Sequence, residues 1–203
     1  MRVDKVILRA ALSTLAAIFS LFIFLTALLC FVYPSTVMEL AYDVGMDSVS
    51  IRFALNTYER TDDVYFLAYA TEVAISSDDK AKIESCGKRL LADDGFEAFC
   101  LAKDGNTDGA MGYGEYIQRT LSITQYELGK ISEAIDTALA ATKGFPENNA
   151  FAGLLLTAMK GGDLATVEQM KGKMNEMSVG SFSESERDYY QAILHALEMW
   201  QNG

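Results

Sequence analysis

A run of 24 residues without a charged side chain, Ala10 to Tyr33 (AALSTLAAIFSLFIFLTALLCFVY), constrains the fold of this chain more than any other feature. As a helix rising about 1.5 Å per residue, it is long enough to cross a hydrocarbon core of ~30 Å with some tilt. The competing reading is a cleaved signal peptide, which needs a shorter apolar core ending in small residues. Leu28, Leu29, Cys30 and Phe31 do not supply such an end, and bulky Leu29 also argues against Cys30 as a lipoprotein cysteine. The expectation is therefore an uncleaved transmembrane helix over 10–33. Arg2, Lys5 and Arg9 precede it, whereas Glu39, Asp43 and Asp47 follow it before the first basic residue, Arg52. This asymmetry places residues 1–9 in the cytoplasm and 34–203 outside it, at a plasma membrane.

Beyond the anchor, the chain has room for one sizeable core but hardly for two. Only two prolines occur in 203 residues, and alanine and leucine abound, which favours an all-α body. The formal charge of −11 disfavours nucleic acid, whose phosphates demand clustered Lys and Arg.

Apolar residues recur at helical spacing in VMELAYDVGM, in VYFLAYATEVAI and in YIQRTLSITQYEL, where Ile117, Leu121, Tyr126 and Leu128 alternate with polar positions. Helix-stopping residues fall at Gly45, Ser76 to Asp79, Gly129, Pro146 and Gly161-Gly162-Asp163. Taking Gly45, Asp78, Gly129 and Gly162 as turns gives intervals of 33, 51 and 33 residues, a unit near 34 with an insertion of about 17 at about 93–114. Residues Glu115 to Asn148 resemble a tetratricopeptide repeat: Leu121 and Ser122 supply its leucine and small residue, Ala134 and Ala141 its small crossing positions, and Pro146 its close. Gln118 and Gln125 depart from it, standing where the motif has aromatics, and Ala138 stands for a larger residue. The resemblance implies a stack of antiparallel helix pairs that serves as a scaffold; an irregular helical bundle is the competing architecture. The last segment, Ser183 to Gln201, opens on a capping box and carries Tyr189, Tyr190, Ile193, Leu194, Leu197 and Trp200 in a stripe suited to cap the stack.

The insertion holds DGNTDGAMGYGE, which resembles an EF-hand loop at each required position. Asp104, Asn106 and Asp108 would offer side-chain oxygens, Ala110 its carbonyl, and Glu115 a bidentate carboxylate from the start of the next helix. The resemblance implies calcium as a structural ion. A Gly- and Asp-rich connector is the bland reading, helped by the lack of a paired loop and by Gly112 and Gly114, which loosen the second half. Cys86 and Cys100 form a disulfide candidate if the domain faces an oxidising space, and are otherwise reduced core residues. His195 reads as a half-buried structural histidine, since no nucleophile with a recognisable signature accompanies it. Acid pairs such as Asp62-Asp63 and Asp78-Asp79 fall at helix boundaries, as caps do.

The expectation is thus a non-enzymatic, membrane-anchored helical-repeat scaffold binding a protein or peptide partner next to a membrane complex. Its layout is similar to that of the ancillary subunit of bacterial Sec translocons. A calcium-dependent surface or adhesion module is the second reading, and an enzyme of unfamiliar type the third.

Overall fold

The computed structural model describes residues 2–104, 112–140, 149–176 and 184–202. Among them the chain is all-α, with eleven helices. The helices pack into two compact units, Met1–Asp62 and Asp63–Gly203.

The first unit begins with α1 (Arg2–Val32), whose stretch Ile7–Val32 is long and apolar enough to cross a membrane and has no residue buried within the structure. Its length and composition suit either a membrane anchor or a signal sequence. The helix ends one residue before the expected limit: Tyr33 has φ −127° and ψ 63°, because the ring of Pro34 disfavours the α conformation in the residue before it. Pro34 then opens α2 (Pro34–Asp43), where its missing N–H costs nothing. α2 packs on α3 (Asp47–Thr61), with Met38, Ala41, Ile51 and Ala54 buried and the Ser50 hydroxyl donating to the Met38 carbonyl at 2.9 Å. The Arg60 guanidinium lies over the Phe31 ring, 4.9 Å from its centroid, fixing the end of α3 to the last turn of α1.

The second unit holds the pairs α4 (Val64–Ser76) with α5 (Lys80–Leu91), α7 (Tyr113–Glu127) with α8 (Ile131–Ala140), and α9 (Asn149–Lys160) with α10 (Leu164–Glu176). Adjacent pairs pack through α5 on α7, α7 on α9 and α8 on α9. α6 (Phe96–Asp104) occupies the insertion and touches α4 and α7. α11 (Glu184–Asn202) closes the far end: Tyr190 and Leu197 are buried with Phe151, Leu154, Met170 and Met174, and Ile193, Leu194 and Trp200 pack on the same cluster. The terminal stripe expected from the sequence is therefore a packed face. His195 is exposed rather than half-buried, because it stands about 140° around the helix from the Tyr190 to Leu197 line.

The four expected turns share one backbone solution. Gly45, Asp78, Gly129 and Gly162 are all left-handed, with φ of +75°, +52°, +77° and +69°. Each donates its N–H to the carbonyl three residues back, and the next residue donates to the carbonyl five back, at 2.8 to 3.1 Å throughout. This paired bonding satisfies the last carbonyls of a helix and selects Gly, or a short polar residue, at the left-handed position. The carbonyls five back belong to Ala41, Ala74, Gln125 and Ala158, all buried, so one of four equivalent places carries a long polar side chain. Asp79 and Asp163 cap the helices that follow, accepting from the amides of Lys82 and Thr166. Hydrogen bonds from the side chains and amides of those two residues hold both carboxyls below the usual carboxylate range. Asp163 also accepts from the Tyr126 hydroxyl at 3.2 Å, which ties the turn of one pair to the preceding pair.

The two glutamines that depart from the repeat pattern behave differently. Gln118 reaches across its own pair and donates to the Thr137 carbonyl at 2.6 Å. Gln125 is fully buried, and among the described residues neither its oxygen nor its nitrogen has a hydrogen-bond partner.

Candidate functional site

The junction of α6 and α7 is built on glycine. Asp104, the last residue of α6, accepts from the Tyr113 N–H with both carboxylate oxygens, at 2.9 and 3.1 Å, and so caps the start of α7 from outside the helix. A Cβ on Gly112 would stand 2.9 Å from Asp104 Oδ2, and one on Gly114 would stand 3.2 Å from Cys100 Sγ. These glycines admit the close approach of α6. α7 begins at Tyr113, ahead of the start that the sequence suggests, so Glu115 lies in its first turn.

Behind this junction Tyr113 is buried against Phe96 and Phe99, with ring centroids 6.3 and 5.6 Å away. Lys103 Nζ lies 3.8 Å from the Tyr113 ring centroid and pairs with Glu72 of α4. Burial pushes the Tyr113 phenol up, and the nearby Glu72 carboxylate adds to this although no hydrogen bond of normal geometry joins them. Burial and the Asp104 charge likewise push the Cys100 thiol up to about 11. A thiol so raised is protonated at neutral pH and is a poor nucleophile. Cys86 is buried on α5, and both it and Cys100 are free thiols in this structure.

Of the residues proposed for calcium, Asp104 and Glu115 are described; Asn106, Asp108 and Ala110 lie outside the described residues. Ala141 and Pro146 of the repeat pattern do so as well. Glu115 is partly buried, and its charge adds to the burial that raises Tyr189 of α11. Among the described residues, no group of three or more His, Cys, Asp or Glu is gathered to hold a metal ion. The capping role of Asp104 carries its own prediction. In chelator, Asp104→Ala is expected to cost about 1 kcal/mol and to speed amide exchange at Tyr113, whereas Asp104→Asn retains an acceptor and most of the stability. Unchanged exchange at Tyr113 in Asp104→Ala would mean that the carboxylate does not cap α7.

A second feature, not anticipated from the sequence, is an open groove of about 380 Å³ where α4 and the start of α5 face α7. Ile75, Ile83, Tyr116 and Ile123 supply its apolar surface, and Arg119 stands among them. Tyr116, Arg119 and Ile123 recur at i, i+3 and i+7, a face of α7 distinct from the one that buries Ile117 and Leu121. Arg119 is exposed and forms no ion pair among the described residues, and its side chain lies against Gly153 of α9, where a Cβ would come within 2.6 Å of Nε. At the rim, Glu127 is paired with Lys80 at 3.0 Å, leaving Asp78 as the other charge. The signal for this face was present as a second, weaker stripe on α7, but which helix it faces is a tertiary fact. No family model, curated protein or solved structure matches the chain.

Proposed function

We propose that the chain is a single-pass membrane protein, with its N-terminus in the cytoplasm and its helical body outside, which binds a protein or peptide partner beside a membrane complex. The observation that carries this reading is the groove between α4 and α7: an open, largely apolar channel of peptide size, with a guanidinium that no carboxylate among the described residues neutralises and that can orient what enters. Four turns of a single backbone geometry, at intervals of 33, 51 and 33 residues, support a tetratricopeptide-like repeat with α6 as the insertion. That architecture serves scaffolding by presenting the first helices of successive pairs on one surface.

Two features support an anchor over a cleaved signal. The span is longer than a signal core needs, and its last turns, through Ala27, Cys30 and Phe31, line a cavity that faces α3, with Arg60 set over the Phe31 ring, so cleavage near the end of the span would remove one wall of that cavity. The positive charges before the span and acidic residues after it support the orientation.

The reading is tested in cells making the full chain with a photo-crosslinking residue at Thr120, in the groove, or at Ala165, exposed on α10. A discrete protein adduct is expected from Thr120 alone. Ile123→Asp or Arg119→Glu should lower its yield about tenfold, the effect of losing one well-packed anchor or one charge-assisted contact. Equal adducts from Ala165, or indifference to both substitutions with helicity intact, would remove the groove as the binding site.

A further inference from the structure

The first unit contains a cavity of about 340 Å³ that the partner-binding reading does not use, set between the last turns of α1 and the second half of α3. Ala27 and Phe31 form one wall and Phe53 part of the other, while Asn56 and Arg60 line it from the far half of α3. Phe53, Asn56, Thr57 and Arg60 stand at i, i+3, i+4 and i+7, one face of α3, and Glu59 is turned about 100° away from it. Arg60 is exposed, braced over the Phe31 ring, and joined to no carboxylate among the described residues. The cavity is therefore apolar along α1 and cationic beyond its end.

Depth decides what such a cavity meets. Ile7–Val32 is 26 residues, about 39 Å as a helix, against a hydrocarbon core of ~30 Å. With Arg9 near one boundary, residues 27–31 sit where acyl chains give way to phosphates, and Arg60 reaches the phosphate layer.

We infer that this cavity holds a glycerophospholipid, one acyl chain lying along Ala27, Phe31 and Phe53 and the phosphate on the Arg60 guanidinium. The inference rests on the reading of α1 as a membrane anchor. A planar guanidinium takes phosphate oxygens through two parallel N–H donors, and its stacking on Phe31 fixes the fork in advance. The bound lipid would set the tilt between the span and the α2–α3 pair, since it touches both walls.

The test uses the full chain purified in detergent and titrated with phosphatidylglycerol or with diacylglycerol of the same chains, the adducts being counted by native mass spectrometry. One phosphatidylglycerol adduct is expected, about tenfold weaker in Arg60→Gln, partly restored in Arg60→Lys, and unchanged in Arg52→Gln, whose side chain is exposed elsewhere on α3. Diacylglycerol should bind no better to the wild type than to Arg60→Gln. Equal adducts for all variants, or diacylglycerol binding as tightly as phosphatidylglycerol, would overturn the lipid site. Alkaline carbonate extraction of the producing membranes separates the two failures: a chain retained in the membrane with indifferent adducts refutes the site alone, and a chain released refutes the anchor and the site with it.

Discussion

Replacing Phe151 with alanine should lower the unfolding free energy of the full chain by about 3–5 kcal/mol, the range for emptying a fully enclosed aromatic site. Phe151 is 0% exposed and lies in the cluster that α8, α9, α10 and α11 share, so no single helix can move in to fill the space. The chain carries its own reporter, because its one tryptophan, Trp200, packs on that cluster from α11. The variant should therefore show a lower urea midpoint by tryptophan fluorescence, together with a red-shifted native spectrum as α11 loosens. Phe151→Leu should lose much less, keeping most of the volume. A loss below about 1 kcal/mol in Phe151→Ala, with the native spectrum unmoved, would mean that α11 is not held by this cluster.

The second large effect has the opposite sign. Gln125→Met should stabilise the chain by about 1–3 kcal/mol, because it replaces a buried amide without hydrogen bonds by an unbranched apolar side chain of similar length. The backbone carbonyl of residue 125 keeps its bond from the Lys130 N–H in the variant, so the turn at Gly129 is untouched. Gln125→Ala would match Ala41, Ala74 and Ala158 of the equivalent turns, but should gain less, since a cavity offsets the relief of the amide. Thermal unfolding of the three chains side by side gives the order Met, then Ala, then wild type. A destabilised Gln125→Met would show that the amide is satisfied in solution, for instance by a buried water.

Gln125 also marks how far the sequence reaches. It stood out as a departure from the repeat pattern, but whether the departure was compensated depended on the neighbours that α7 acquires on packing. Gln118 found the Thr137 carbonyl and Gln125 found nothing. The turns were legible because a left-handed residue after a helix is a local requirement, visible in one glycine or aspartate at a time. The apolar span was legible for the same reason, since length and absence of charge need no partner. The α6–α7 junction was not, because the approach of Asp104 to Gly112 and of Cys100 to Gly114 is set by how α6 packs and not by the local sequence. His195 was misplaced by its apolar sequence neighbours, where its angular position on α11 governed. The groove lay furthest from view, because Tyr116, Arg119 and Ile123 become a surface only when α4 is set opposite them.

The succession of neighbouring helix pairs, closed by α11, has a kinetic consequence. Most packed helices are near one another in the chain, so little loop entropy opposes each step, and the second unit can condense pair by pair as it is synthesised. The exception is the final pair. Phe151, Met170 and Met174 are in place before residues 184–202 arrive, and until then the cluster they share with Tyr190 and Leu197 is uncovered on that side. A nascent chain stalled or clipped before α11 would display that cluster as a sticky apolar surface, so the 19 residues of α11 are what shield the second unit from aggregation there.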